Sequence, residues 1–260
     1  MTDALIDVNI NLSRWPARRV PGDETGALVA QLRAQGVTEA WAGSFDGLLD
    51  KDLAAVNARL DRECRAHTDV RLVPFGSVNP LLPDWEEDVR RCADEHHMPG
   101  IRLHPNYHGY KLDHPVFARL LKLAGERRLL VQLAVVMEDE RMMPPLLRVP
   151  PVDVAPLPVL VQGTPGLRLV LLNALGTVRG DALLRLRGSE IFVEISMLEG
   201  VAGVAGLLNQ VPLDRVLFGS HAPLFYCEAA PLKLKESALG EPQLRAVRHE
   251  NARRLVPAPS

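Results

Sequence analysis

Polar side chains interrupt two short apolar segments at every second position. The first segment is Asp7-Val8-Asn9-Ile10-Asn11, and the second is Gly100-Ile101-Arg102-Leu103-His104. Alternate side chains of a strand point to opposite faces, so the polar residues of each segment share one face. Arginine can bind a carboxylate through two parallel hydrogen bonds, and histidine can carry a proton near neutral pH. Each segment therefore presents groups suited to binding and acid–base chemistry.

Later apolar segments contain further polar residues, which are Gln132, Asn173, Glu194 and His221. Burying a polar group costs roughly 1–3 kcal/mol unless the group is hydrogen bonded. Any one of these residues, taken alone, is equally well explained as a satisfied core group. Their recurrence near the ends of successive strands favours a common site.

The elements that must position these residues alternate along the whole chain. Eight short apolar runs are predicted to be strands: Leu5–Leu12, Glu39–Phe45, Arg71–Val78, Gly100–His104, Leu129–Val135, Arg168–Leu175, Ile191–Met197 and Arg215–Ala222. Helical spacing predicts helices at Asp50–His67, Val116–Arg127, Gly203–Gln210 and Leu232–Leu239. Eight strand–helix repeats in 260 residues predict an α/β fold, a (β/α)8 TIM barrel. The alternative, an open doubly wound sheet, would carry a glycine-rich loop after the first strand, where this chain has Asn9-Ile10-Asn11-Leu12.

The pattern predicts one domain over residues 1–260, closed by a C-terminal helix at about 241–255. The outer face of each barrel strand packs on helices, so the polar faces are expected to point inward, near the C-terminal mouth. A proline-rich loop, Pro144–Pro158, is expected over that mouth. The charged segment Glu138–Arg141, just before it, is either a solvated loop or a contact to the substrate.

Composition excludes several classes of protein. There are 30 Lys and Arg against 32 Asp and Glu, a net charge of −2, and no basic stripe, so no nucleic-acid partner is expected. No apolar run approaches the roughly 18–20 residues that span a bilayer, and the N-terminus lacks the features of a secretory signal. Three scattered cysteines suit a reducing compartment. A cytoplasmic protein that acts on a small molecule is therefore expected, and it could form a homo-oligomer.

Four segments together resemble the amidohydrolase-2 branch of the amidohydrolase superfamily. They are Asp7–Asn11, Gly100–Pro105, Arg215–Pro223 and Glu250–Leu255, and they follow the order of the family. The resemblance implies a (β/α)8 barrel that hydrolyses or decarboxylates small molecules, usually with a divalent metal at its C-terminal mouth.

The metal ligands of that family are replaced in this chain. The resemblance implies histidines at the positions of Asn9, Asn11, Gln132 and Asn173, and an aspartate at the position of His221. Neutral amide oxygens bind zinc poorly, so no metal cofactor is predicted.

Two functions remain open from the sequence. In the first, the chain resembles the metal-independent lactonases of the superfamily and hydrolyses a small carboxylate-bearing lactone or ester. His221 would be the general base, and Arg102 and His104 would bind a carboxylate or stabilise an oxyanion. The side chains expected to contact the substrate are Asn9, Asn11, Gln132, Asn173 and Glu194. In the second, the chain is a pseudoenzyme or a binding protein whose pocket holds a small polar ligand without turnover.

Overall fold

Eight parallel strands surround a central axis in sequence order in the computed structural model, which describes residues 4–143 and 148–258. The strands are β1 Ile6–Leu12, β2 Glu39–Ser44, β3 Arg71–Ser77, β4 Gly100–Leu103, β5 Leu130–Ala134, β6 Leu169–Leu172, β7 Ile191–Glu194 and β8 Val216–Leu217. The segment after β8 closes the barrel against β1: the Val8 N–H donates to the Phe218 carbonyl at 3.0 Å and the Asn11 N–H to the Ala222 carbonyl at 2.9 Å. The predicted single-domain (β/α)8 barrel is confirmed.

Helices follow the strands on the outside of the barrel. They are α1 Thr25–Ala34, α2 Leu53–Ala66, α3 Trp85–Arg90, α4 Pro105–His108, α5 Pro115–Glu126, α6 Leu157–Gln162, α7 Asp181–Leu186, α8 Gly203–Leu208, α9 Ala229–Glu236, α10 Glu241–Arg245 and α11 Asn251–Leu255. A π-helical turn, Ala246–Glu250, joins the last two, so the predicted C-terminal helix is present in three parts. No helix in the described ranges combines the length and the apolar character needed to cross a membrane.

Local sequence explains where α2 begins and which face it buries. The Asp52 carboxylate accepts the Ala55 N–H at 3.0 Å, which satisfies one of the free donors of the first turn. The buried residues Leu53, Val56 and Leu60 recur at helical spacing and pack towards the strands. This cap and this buried face place α2 against β2 and β3.

Three strands end at least three residues earlier than predicted. β6 stops before Asn173, whose φ of 56° lies in the left-handed region, and β7 stops at Glu194 rather than at Met197. β8 contains only Val216 and Leu217, because the next residue donates its N–H to the Val247 carbonyl instead of to a neighbouring strand. The polar residues after these strands therefore lie on turns at the barrel mouth.

Several helices had no bounds predicted from the sequence, namely α1, α3, α4, α6 and α7. The proline-rich stretch is one reason, because Pro144–Pro158 was interpreted as a loop throughout, whereas α6 begins at Leu157. Proline is tolerated in the first turn of a helix, where its missing N–H has no intrahelical partner. Residues 144–147 of that predicted loop lie outside the described residues.

Candidate active site

A buried amide–carboxylate network joins three strands inside the barrel. Asn9 on β1 donates from Nδ2 to Asn173 Oδ1 at 2.7 Å and to Glu194 Oε1 at 3.2 Å. Glu194 also accepts the backbone N–H groups of Asn173 at 2.6 Å and of Ser196 at 2.5 Å. Burial raises the pKa of Glu194, and these donors oppose that shift. The predicted inward placement of Asn9, Asn173 and Glu194 agrees with these contacts.

Arg102 lies at the centre of a second network, and it is 1% exposed. Its Nε donates to Gln132 Oε1 at 2.8 Å, and its Nη1 donates to Asn11 Oδ1 at 2.9 Å and to the Ile10 carbonyl at 2.6 Å. Its Nη2 donates to the Trp41 carbonyl at 3.0 Å. These four bonds use four of the five N–H groups of the guanidinium and leave one available. The expected bidentate grip on a ligand carboxylate is therefore not available in this arrangement.

Two glycines make room for these buried charges. A Cβ on Gly43 of β2 would lie 2.6 Å from Arg102 Nη1, and a Cβ on Gly219 would lie 2.5 Å from Glu194 Oε2. Any larger residue at either position would displace the charged group. Burial lowers the pKa of Arg102 to about 9, so the guanidinium depends on its close carbonyl partners.

His221 follows β8 and is fully buried. Its Nε2 lies 2.7 Å from the Met137 carbonyl, which can only accept, so Nε2 carries the hydrogen. Nδ1 is therefore a lone-pair acceptor, and it has no partner within the described part of the chain. Burial lowers the pKa of His221 to about 4, so the ring is neutral at neutral pH.

His104 directly follows β4 and is also fully buried, with neither ring nitrogen bonded to any residue in the described ranges. Burial holds its pKa well below the usual value. The ring of His108 stands 6.0 Å away, and its Nε2 lies 2.9 Å from the Gly47 carbonyl. His108 was not among the predicted site residues, although it lies four residues after His104 in the sequence.

Asp7 is a further interior group for which the sequence analysis proposed no role. Its Oδ1 accepts the N–H groups of Asn9 and Ser220, both at 3.0 Å, and its Oδ2 has no partner among the described residues. Burial raises the pKa of Asp7 to about 7. The alternation of residues 7–11 was the signal that placed this carboxyl group inside the barrel.

A cavity of about 660 Å3 opens where the chain leaves β5, β6 and β7. Its wall includes Glu138, Ser196, Phe225 and Lys233, and none of the predicted site residues lines it. The Ser196 hydroxyl lies 2.8 Å from Glu194 Oε1, so the cavity wall continues directly into the buried network. Phe225 packs on the ring of His221 with centroids 5.4 Å apart. The cavity is thus one side chain away from His221.

The sequence left two interpretations of Glu138–Arg141, a solvated loop or a contact to the substrate. In the structure this loop forms part of the cavity wall. Ser196 and Lys233 were missed, because Ser196 falls in a turn after β7 and Lys233 in an otherwise ordinary amphipathic helix. The interior residues converge as expected, but the opening that the structure provides lies beside them.

The residues at the expected metal positions do not fit a divalent metal. Asn11 and Gln132 already use their oxygens on Arg102, and Asn9 and Asn173 bond to each other. Residues 4–143 and 148–258 contain no group of three His, Cys, Asp or Glu side chains arranged to hold a metal ion. The guanidinium of Arg102, which is bonded to Asn11 and Gln132, supplies positive charge at these positions.

Comparison with known proteins places the chain in a family. The sequence model of the family described as "Amidohydrolase" matches residues 10–258, and no curated protein sequence matches the chain. Solved structures with the same fold include 5-carboxyvanillate decarboxylase from Sphingomonas paucimobilis, with 12% identity, 97% of this chain and 98% of that chain covered, and a TM-score of 0.74. Another is 2,6-dihydroxybenzoate decarboxylase from Rhizobium, with 14% identity, 98% of each chain covered and a TM-score of 0.73.

A third similar structure is dihydroxybenzoic acid decarboxylase from Polaromonas, which contains bound manganese and the inhibitor 2-nitroresorcinol. It is 11% identical, with 97% of this chain and 96% of that chain covered and a TM-score of 0.72. These three proteins are decarboxylases rather than lactonases, and identities this low show a shared fold alone. The match over residues 10–258 shows the family: this chain belongs to the amidohydrolases, whose members are enzymes, mostly decarboxylases or hydrolases.

Proposed function

We propose that this chain is a metal-independent hydrolase of the amidohydrolase family. It would open a lactone or ester bond in a small carboxylate-bearing molecule, with His221 as the general base. The observation that carries the proposal is the tautomer of His221: its Nε2–H is fixed on the Met137 carbonyl, and its Nδ1 is a buried acceptor with no partner in the described ranges.

The chemistry requires His221 in its neutral form. Water attacks the carbonyl carbon of the substrate while Nδ1 takes a proton from that water. The tetrahedral intermediate then releases the alkoxide oxygen, and the imidazolium returns the proton to it. A pKa of about 4 makes the base weak but keeps it available throughout the neutral range.

The neighbouring groups support this reaction in different ways. His104 is neutral and buried, so one ring N–H can donate to the developing oxyanion. Arg102 contributes a fixed positive charge rather than a direct grip, held in place by Asn11 and Gln132. Asn9 Oδ1 has no partner in the described part of the chain and can accept from a substrate hydroxyl, while Asn173 and Glu194 hold Asn9 in position.

Access from the cavity requires movement, because His221 and His104 are each 0% exposed. Phe225 lies between the cavity and His221, so rotation of this side chain would admit the reacting carbonyl group. A substrate small enough to enter there fits the volume of about 660 Å3.

The second candidate is a binding protein without turnover. It is favoured by Arg102, which gives four of its five N–H groups to protein acceptors and so cannot grip a ligand carboxylate through two bonds. A pseudoenzyme needs no base, so the two candidates are separated by measuring hydrolysis before and after His221 is replaced.

The test is a panel of lactones and carboxylic esters assayed with wild-type protein and with His221→Asn. We expect the substitution to lower kcat/KM by about 100-fold or more, the usual scale of general acid–base catalysis. His97→Asn is the matched control, because His97 is exposed and shares the left-handed backbone of His221, with φ of 52° against 61°. Asparagine tolerates that conformation, so neither change should strain the chain.

Two results would contradict the proposal. One is hydrolysis that persists unchanged in His221→Asn. The other is manganese-dependent release of carbon dioxide from a hydroxybenzoate without any lactone or ester hydrolysis. Binding without turnover across the panel would favour the second candidate.

A further inference from the structure

Lys233 on α9 is a half-buried cation on the wall of the cavity beside the barrel mouth. Its ammonium group donates to the Ile195 carbonyl at 3.0 Å and to the Ser196 carbonyl. Within residues 4–143 and 148–258, no carboxylate forms an ion pair with it. An ammonium has three N–H groups, so one donor has no hydrogen-bond partner among the described residues.

The acidic residues that line the cavity do not form ion pairs with Lys233. Three of them form ion pairs with arginine: Glu138 with Arg18, Asp139 with Arg141 and Glu199 with Arg179. Glu140 is exposed, where water screens its charge. Burial lowers the pKa of Lys233, because the nearby carboxylates of Glu194, Glu199 and Glu236 offset only part of the penalty of removing its charge from water. An anionic ligand would remove that penalty.

The rest of the wall is largely apolar. Val136, Met197, Leu198 and Phe225 line the same space, which has a volume of about 660 Å3. Because Lys233 is the cation on this wall that has no ion-pair partner among the described residues, and apolar side chains lie beside it, the cavity favours an organic acid over an inorganic anion, since the apolar body of the acid is removed from water.

We propose that Lys233 binds the carboxylate of a small organic acid whose apolar body fills this cavity. The inference rests on the proposed function only for the role of that acid as substrate; binding itself depends on the cavity and on Lys233. This assignment moves the carboxylate from Arg102, which has a single N–H left and cannot form the two-bond fork, to Lys233, which has a free donor on the cavity wall.

The test is titration calorimetry with a set of small carboxylic acids that carry branched or aromatic bodies, each paired with its neutral primary amide. We expect at least one acid to bind about tenfold or more tightly than its amide, which corresponds to one charge-assisted contact. Lys233→Met should abolish this preference. Lys235→Met is the matched control, because Lys235 is exposed on the same helix and should leave the preference unchanged.

Two further variants keep the proposal falsifiable if Lys233→Met fails to fold. Lys233→Arg preserves the charge and should retain a preference for acids. Ala229→Trp fills the cavity and should weaken acids and amides alike, because Ala229 lies on its wall. Equal binding of acids and amides by the wild type, or an acid preference that survives Lys233→Met, would overturn the proposal. Acid binding at Lys233 without hydrolysis of any ester would overturn the proposed function and leave this site standing.

Discussion

At the scale of single residues, His221 and Arg102 depart from what their types suggest. Histidine usually titrates near pH 6.5, and arginine usually offers a fork to a ligand. Inside this barrel His221 stays neutral to about pH 4, and Arg102 gives its donors to four protein oxygens. The residue types therefore indicated that these side chains lie inside the barrel, but not the protonation state of His221 or the hydrogen-bond partners of Arg102.

The low pKa of His221 predicts the pH dependence of hydrolysis. Only the neutral ring accepts a proton, so kcat/KM should be constant through neutral pH and fall as the pH drops through about 4. The measurement is a profile of kcat/KM from about pH 3.5 to 8, on a substrate that is stable in acid. A half-maximal point near pH 6.5 would mean that the base is solvated, and would contradict the assignment of His221.

At the scale of elements, the position of Arg102 depends on β2 as much as on β4. Gly43→Ala would place a methyl group 2.6 Å from Arg102 Nη1, so the guanidinium must shift away from the Trp41 and Asn11 oxygens. We expect a loss of about 1–3 kcal/mol in the free energy of unfolding, the usual cost of overpacking a core.

Urea unfolding measures this change against Gly26→Ala. Gly26 lies in α1 with no atom within 4 Å of the added methyl group, so that substitution should be neutral or slightly stabilising. Equal stability of the two variants would show that the stability of the fold does not depend on the position of the Arg102 guanidinium beside β2.

The sequence located the strands but not the partners made between them. Apolar runs bounded by turn residues were enough to identify eight strands, and alternation was enough to place Asn9 and Arg102 inward. Two of the oxygens that hold Arg102 are backbone carbonyls, of Ile10 and Trp41, which come together only when the barrel forms. Backbone acceptors carry no residue-type signal, so this part of the site could not be predicted.

The ends of the elements and the cavity were missed for related reasons. β6 ends at a left-handed turn at Asn173, which apolar periodicity does not register. Lys233 resembles any other helical lysine until α9 places it against the carbonyls that follow β7. The residues of a site formed by a turn and a helix surface do not recur at a regular interval in the sequence, so no periodic pattern indicates the site.

At the scale of the whole molecule, Asp7 links the stability of the barrel to pH. Its pKa is raised from 3.8 to about 7 in the folded state. A raised folded pKa gives stability that is present below pH 3.8 and is lost as the pH rises through about 7. Asp7→Asn should therefore become more stable relative to wild type as the pH rises, by up to about 4 kcal/mol between pH 4 and 8.

Urea unfolding at both pH values measures the difference, with Asp113→Asn, at an exposed position, as control. Comparison of variants is needed because His221, whose pKa falls below its unfolded value, contributes the opposite slope between about pH 4 and 6.5. A difference between Asp7→Asn and wild type that does not change with pH would mean that this carboxyl group is not shifted in the folded barrel.

In the proposed metal-independent hydrolase, the charge of Arg102, with amides at the ligand positions, takes the place of a metal. The measurement is the metal content of purified protein that has been incubated with excess Zn2+ or Mn2+ and then desalted. We expect well below one equivalent of either metal, because Asn11 and Gln132 already use their oxygens on Arg102. One equivalent of tightly held metal, removed by a chelator with loss of activity, would contradict it.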